Sequence, residues 1–177
     1  MRIFIKNRHH GRSILVVCLV VALLAVMPSG LAWGKPENGK IFADWTVRCA
    51  VPIGESTSRC AASQTLVVAE NKTRLLMAEI GNNDKGIPTV AILLPLGIDI
   101  PTGVSLVYDT GTVEAVPLIR CIPDGCLALA SLGERQFADL KKGREVKIRV
   151  WLPGMPQVVE IPMSLSGLAA AIDSLEQ

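Results

Sequence analysis

An apolar run near the N-terminus decides which part of this chain can fold as a globular domain. Residues 14–27 are all apolar, and the residues before them carry four basic side chains and no acidic one. A Pro-Ser-Gly cluster follows, and small residues at positions 30 and 32 suit a signal peptidase. This three-part pattern is typical of a secretory signal peptide over residues 1–32, with cleavage expected after Ala32 or Gly34.

The alternative is that residues 14–27 stay in the inner membrane and anchor a structural envelope component. A helix needs about 20 apolar residues to cross the hydrocarbon core, and this run is shorter. The sequence therefore favours cleavage and predicts a protein in the periplasm, at the outer membrane or outside the cell. Membrane contact is then expected only through the signal peptide or peripherally.

Removal of the signal peptide changes the charge and the chemistry that the chain offers. Of 18 basic and 16 acidic residues, four basic ones leave with the signal peptide, so the net charge becomes −2. This predicts no general attraction to nucleic acid. His9 and His10, the two histidines of the chain, leave as well. A Ser-His-Asp triad and a His-ligated zinc are then unavailable, so we expect a non-enzymatic protein without a metal or other cofactor.

Four cysteines remain in the mature chain, and their even number in an exported protein is typical of a disulfide framework. Three connectivities exist, and proximity in the sequence favours Cys49–Cys60 and Cys121–Cys126. Two alternatives stay open. A four-Cys zinc site would normally show paired CxxC spacing, which is absent here. A thiol-disulfide factor using Cys121 and Cys126 would also be expected to carry CxxC.

Alternation of apolar and polar residues predicts an all-β domain. In residues 43–49 the odd positions are apolar and the even ones polar, which is the period of a half-buried strand. Residues 90–94 are continuously apolar, so we expect that strand to be covered on both faces. Turn residues at short intervals are typical of an antiparallel β-sandwich or barrel. The other strands are expected at 59–69, 74–80, 104–109, 113–121, 126–132, 145–152 and 158–163.

Two helices are expected beside these strands. The first covers residues 134–142 and ends at Gly143, and the second follows Ser166, which is the expected N-cap. No linker or repeat divides the remainder, so a flexible segment at 33–40 and a single β domain at 41–177 are expected. The apolar face of the second helix is expected to consist of Leu168, Ala169, Ile172 and Leu175.

The densest charge cluster is a candidate anion-binding site for lipopolysaccharide headgroups or a host glycan. We call it the basic strip, and it consists of Lys141, Lys142, Arg144, Lys147 and Arg149. The simpler interpretation is a helix end followed by a solvated strand face, which the negative net charge favours. Trp45 and Trp151 are candidate platforms for stacking on sugars or bases, although their alternation with polar residues favours the core.

Several short motifs occur in one order along residues 42–175. They are Asp44-Trp45-x-Val47-x-Cys49, Cys60, Leu94-Pro95-Leu96-Gly97, Arg120-Cys121 through Gly125-Cys126, a helix ending at Gly143, and Ile161-Pro162-Met163-Ser164-Leu165-Ser166-Gly167-Leu168-x-x-Ala171. In this order the sequence resembles the invasion-associated locus B family of exported alphaproteobacterial proteins.

The resemblance implies an all-β domain in the periplasm or outer membrane, with no established enzymatic activity. The family name derives from a role in entry into host red cells. Only the four cysteines are carried over from the family, as disulfide partners, because the family has no established catalytic or ligand-binding residues. The expectation is a protein that binds an unidentified partner in the envelope or at a host surface.

Overall fold

A computed structural model describes residues 36–50 and 58–176. These residues lie in one compact unit that spans 34–177, and they form eleven strands and two short helices. The helices are α1 (Glu134–Lys142) and α2 (Leu168–Leu175). The strands are β1 (Ile41–Phe42), β2 (Trp45–Ala50), β3 (Arg59–Val67), β4 (Arg74–Asn82), β5 (Pro88–Leu94), β6 (Val104–Tyr108), β7 (Val113–Val116), β8 (Leu118–Ile122), β9 (Gly125–Ser131), β10 (Glu145–Val150) and β11 (Val159–Ser164).

The strands form two antiparallel sheets around one core. The seven-stranded sheet has the order β1-β2-β3-β4-β5-β9-β8, and the four-stranded sheet has the order β11-β10-β6-β7. Side chains from both sheets and both helices belong to a single hydrophobic cluster. The all-β prediction is confirmed, and of the two architectures considered the sandwich is the one found.

Strand β10 shows how the alternating pattern builds this core. Val146, Ile148 and Val150 are buried, while Lys147 is exposed and Arg149 half-buried on the other face. Burying every second side chain removes apolar area from water at about 25 cal/mol per Å² and leaves the charges solvated. The expected inward and outward positions of this strand are therefore confirmed.

Strand β5 corrects one expectation. Val90, Ile92 and Leu94 are buried, but Ala91 and Leu93 between them are only half-buried. One face of the strand therefore packs on the core, and the other lies on the outer surface of the seven-stranded sheet. The prediction of cover on both faces was wrong, because apolar residues here also occupy an outward-facing row.

The segment predicted as one strand over 113–121 is in fact two strands in different sheets. Strand β7 pairs with β6, and β8 pairs with β9. Pro117 separates them, because proline has no N–H to donate to a ladder and is confined to edges and breaks. The carbonyl oxygen of Pro117 accepts a hydrogen bond from the Leu129 N–H at 3.1 Å. The chain thus crosses from one sheet to the other at this proline.

Helix α2 also differs from the expectation at its first turn. The N-cap is Gly167 in the left-handed region at φ 87°, and no side chain caps the helix. Gly167 lies against the carbonyl oxygen of Phe42, so a Cβ atom here would clash as well as strain the backbone. Ser166 was therefore the wrong cap. The buried side chains are Leu168, Ala171 and Ile172, whereas Ala169 and Leu175 are half-buried.

Some predictions fall outside the described residues. These are the signal peptide, its cleavage site and the anchor alternative, which concern residues 1–35. Within the part of the chain that the structure describes, no helix is long and apolar enough to cross a membrane. Residues 37–40 are exposed and form a turn beside β2. The limits of the flexible segment and of the domain stay predictions.

Candidate functional site

Both disulfides connect residues that lie directly opposite each other on neighbouring strands. Cys49 faces Cys60 in the β2–β3 pair, and Cys121 faces Cys126 in the β8–β9 pair. The predicted pairing is confirmed. The Cα atoms are 3.9 Å apart in each bridge. This short separation is typical of a non-hydrogen-bonded antiparallel pair, whose backbone N–H and C=O groups point away from the partner strand.

At one end of the seven-stranded sheet, outward backbone groups of β2 have hydrogen-bond partners in the preceding residues. The N–H of Cys49 donates to Oδ1 of Asn38 at 2.9 Å. The N–H of Val47 donates to the Lys40 carbonyl oxygen, and the Val47 carbonyl oxygen accepts from the Gly39 N–H, both at 2.8 Å. Residues 38–40 therefore cover the outer side of β2 next to the short strand β1.

At the other end of the same sheet, the described residues provide no such cover for β8. Among them β8 pairs with β9 alone. Among residues 36–50 and 58–176, no backbone or side-chain group outside the β8–β9 pair forms a hydrogen bond to the N–H or C=O of Cys121. An edge strand of this kind presents unpaired backbone groups to which another chain can bind.

Three contacts fix the β8–β9 hairpin in place. Gly125 has φ 143° and lies against the carbonyl oxygen of Leu94, where no other residue fits. Nη2 of Arg74 donates a hydrogen bond to the carbonyl oxygen of Asp124 at 2.5 Å. The Cys121–Cys126 disulfide closes the base of the turn. The open edge is therefore held rigidly by the sheet.

Exposed apolar side chains lie on β8 and on the segments that precede and follow it in the chain. Of the ten exposed large apolar side chains among the described residues, six lie on β7, β8, β9 or the loop of residues 95–103 and are between 37% and 59% exposed. A groove of about 330 Å³ runs between residues 100–104 and 115–118. We call this region the β8 surface and define it by Ile100, Val113, Leu118, Ile119, Arg120 and Ile122.

Arg120 is the only charged residue of β8. It is exposed, and it lies opposite Leu127 in the register with β9, in the same outward row as Leu93 of β5. In the described part of the chain it forms no ion pair and no hydrogen bond through its guanidinium group. The edge therefore combines exposed apolar side chains with one positive charge that has no ion-pair partner among the described residues.

The basic strip is largely paired within the protein. Glu160 binds Nε of Arg149 at 2.6 Å and Nζ of Lys147 at 3.4 Å, and these hydrogen bonds, first that of Arg149, lower the pKa of Glu160. Lys141 instead binds Asp173 of α2 at 2.6 Å. Lys142 and Arg144 are exposed. The simpler interpretation gains support from these pairs, and anion binding stays a prediction.

The two tryptophans have different environments. Trp45 is fully buried, and its Nε1–H donates to the Ser164 carbonyl oxygen at 3.0 Å. It therefore belongs to the core and offers no stacking surface. Trp151 follows β10 and is half-buried, and its carbonyl oxygen accepts from the Asp99 N–H.

The perturbed titratable groups have structural partners. Burial, followed by a 2.7 Å hydrogen bond to Glu114, raises the pKa of Tyr108. Hydrogen bonds from the backbone N–H groups of Arg144 and Glu145 lower the pKa of Asp109. Within the described residues, no group of three His, Cys, Asp or Glu side chains is arranged to hold a metal ion.

Sequence reasoning placed the disulfides correctly but did not identify the β8 surface. The one sequence signal for this surface was Pro117 in the middle of an apolar segment, because a proline in a sheet marks an edge strand or a break between strands. The position of β8 at the end of the seven-stranded sheet depends on strand order, which local residue patterns do not contain.

The chain is similar to proteins of one family. The family model described as "Invasion associated locus B (IalB) protein" matches residues 45–176. Two invasion protein B homologs of Brucella abortus, from strain 2308 and from biovar 1 strain 9-941, are each 30% identical over 153 residues, which is 86% of this chain and 87% of the relative. The crystal structure of invasion associated protein B from Bartonella henselae has a TM-score of 0.68 at 21% identity, covering 77% of this chain and 93% of that one. This structural likeness supports the same fold.

Proposed function

The chain belongs to the invasion associated locus B family, and on this basis we propose that it is an exported, non-enzymatic protein that binds a macromolecular partner in the cell envelope or at a host surface. The relatives are named as invasion proteins rather than as enzymes. Two disulfides support export, because such bonds are rare in cytosolic proteins. The signal-peptide pattern of residues 1–32 supports the same compartment.

The β8 surface carries the proposal. Exposed apolar residues scattered singly are ordinary, whereas a cluster beside a groove and an open strand edge is typical of an interaction site. The perturbed carboxylate and phenol groups of the described residues are occupied by structural hydrogen bonds. Binding through this surface therefore uses the groups that the fold leaves without partners.

A second candidate function is thiol-disulfide exchange at Cys121–Cys126. The exposure of Cys121 favours it, since an attacking thiolate needs access to a sulfur atom. Equilibration with glutathione redox buffers separates the two functions. A structural bridge stays oxidised to below about −300 mV, whereas thiol-disulfide factors equilibrate between roughly −120 and −270 mV.

In-cell photo-crosslinking tests the binding function. A photoreactive amino acid replaces Ile119 of the β8 surface in one strain and Ile87, an exposed residue between β4 and β5, in another. We expect a discrete adduct from position 119 and none of the same mass from position 87. The substitution Ile100→Asp in the groove should then remove the adduct at 119.

Two results would contradict the proposal. One is the absence of any adduct from position 119 in cells that export the protein. The other is an adduct pattern that positions 119 and 87 share, since it would report random collisions rather than a defined surface. Thermal unfolding of each variant provides the control for correct folding.

A further inference from the structure

We infer that the partner binds by strand addition, in which an extended segment of another protein that carries an acidic residue pairs with the open side of β8. This inference rests on the proposed function and specifies how the binding occurs. In strand addition, backbone hydrogen bonds supply much of the affinity, and alternate side chains supply the specificity.

The backbone of β8 is oriented like that of β2 at the other end of the sheet. Cys49 and Cys121 have the same cross-strand geometry, so each directs an N–H and a C=O away from its disulfide partner. The N–H of Cys49 has Asn38 as acceptor, but among the described residues that of Cys121 has none. Residues 38–40 therefore cover β2 at one end of the sheet, whereas at the other end the described residues provide no partner for the outward N–H and C=O of Cys121.

Strand β8 is already fixed in place in the free protein. The disulfide, the close approach of Gly125 to Leu94 and the hydrogen bond from Arg74 to Asp124 fix the turn end of β8. There residues 120–122 pair regularly with β9, after a register shift between Leu118 and Arg120. A receptor strand that is ordered in advance loses little conformational entropy when a partner binds, which favours affinity. The edge strand β11 carries Pro162, which has no N–H to offer to another chain, whereas β8 lies between Pro117 and Pro123 and contains no proline itself.

Arg120 provides a positive charge that a partner strand can recognise. Arg120 lies in the outward row of the sheet and forms no ion pair in the described part of the chain. On an added strand the residue directly opposite lies about 5 Å away, and an opposite charge there is stabilising. A glutamate or aspartate of the partner is therefore the matching residue.

The same charge disfavours a second copy of this chain as the occupant. Two antiparallel copies of the five-residue strand overlap completely in only one register, which is centred on Arg120. That register places Arg120 directly opposite its counterpart, and like charges in this position are destabilising. The observations thus favour a different protein that supplies an acidic, extended segment.

Synthetic peptides test separately the role of the Arg120 charge and that of the backbone hydrogen bonds to β8. The probe has seven residues, with glutamate at the centre and alternating valine and threonine on both sides, and its control carries lysine at the centre. We expect the glutamate peptide to bind the mature protein at least tenfold more tightly than the lysine peptide. The substitution Arg120→Glu should reverse this order, whereas the matched variant Arg48→Glu, on the same face near the closed end, should not change it.

In an antiparallel pair, every second residue of a strand directs its N–H to the neighbouring strand. N-methylation of alternate residues therefore tests whether the peptide forms these backbone hydrogen bonds. One glutamate peptide is N-methylated on its odd residues and another on its even residues. Only one of these sets has N–H groups facing β8, so one peptide should lose at least tenfold in affinity and the other should keep it. In the complex, exchange of the Cys121 amide hydrogen should slow at least tenfold.

Four results would overturn the inference: no binding of the glutamate peptide, no reversal by Arg120→Glu, equal effects of both methylation patterns, or a Cys121 amide protected in a homodimer. If these occur while Ile119 still forms its specific adduct in cells, the binding function stands and only strand addition fails. If the adduct at 119 is absent, the proposed function itself fails.

Discussion

Asp109 links three parts of the fold through one side chain. It follows β6, and its Oδ2 accepts hydrogen bonds from the backbone N–H groups of Arg144, at 2.7 Å, and Glu145, at 3.3 Å. These groups lie where α1 ends and β10 begins. Because the ionised carboxylate accepts both bonds, they lower its pKa from the ordinary value.

The pH dependence of stability should reveal this role. A carboxyl group whose pKa is lower in the folded state stabilises the fold above the unfolded pKa, near 3.9, and loses that effect as the pH falls through the folded value. We expect Asp109→Asn to be less stable than the wild type above about pH 5 and equal to it at strongly acidic pH. Urea unfolding of both proteins from acidic to neutral pH measures the difference, and parallel pH profiles would contradict the assignment.

Tyr108 gives an independent optical signal, because it is the only tyrosine of the chain. Burial and the hydrogen bond to Glu114 raise its pKa, so tyrosinate absorbance should not appear near the ordinary value of about 10 while the protein stays folded. Its contribution to stability is complete below that pH and is lost as the pH rises further. Glu114→Gln should lower the pKa of Tyr108. A native titration near 10 in the wild type would show that the phenol is not held in this way.

At the scale of elements, the two disulfide-linked hairpins should differ in their contribution to stability. The bridges span 11 and 5 residues of sequence. The entropy of the closed loop gives about 3 kcal/mol for Cys49–Cys60 and about 2 kcal/mol for Cys121–Cys126. Urea unfolding of the two double Cys→Ser variants measures both. The opposite order, or no loss in either variant, would contradict this assignment of their structural roles.

The sequence predicted elements best where local pattern and tertiary environment agree. Strand β10 and helix α1 were placed within a residue or two, because one face of each is apolar and the other charged. The strand at 113–121 was misread, because local hydrophobicity does not reveal that the chain changes sheets at Pro117. The cap of α2 was misread for a similar reason, since the close approach of Gly167 to Phe42 is a long-range contact.

The candidate site was predictable only in part. The disulfide pairing followed from proximity in the sequence, because nearby cysteines on adjacent strands of a hairpin can face each other. The β8 surface was not predicted, because Leu118 to Ile122 reads as an ordinary strand until its place in the sheet is known. Edges are properties of strand order rather than of single strands.

At the scale of the whole molecule, the two ends of the seven-stranded sheet are unequal. Residues 38–40 and β1 cover one end, while no other described residue covers the outer side of β8, which lies next to an apolar groove. Natural sheets usually protect both ends against pairing with other chains. An edge strand that is fixed by a disulfide and carries one charge without an ion pair among the described residues is therefore the feature that we connect to the proposed binding.

Amide hydrogen exchange of the free mature protein, resolved by residue, tests this asymmetry most directly. Cys49 and Cys121 provide a matched pair, because both belong to cross-strand disulfides with the same Cα separation. After correction for intrinsic rates, the Cys49 amide, which is bonded to Asn38, should exchange at least about tenfold more slowly than the Cys121 amide. In Asn38→Ala the Cys49 amide should approach the rate of Cys121. A Cys121 amide as protected as that of Cys49 in the free monomer would contradict the open edge and the binding mode built on it.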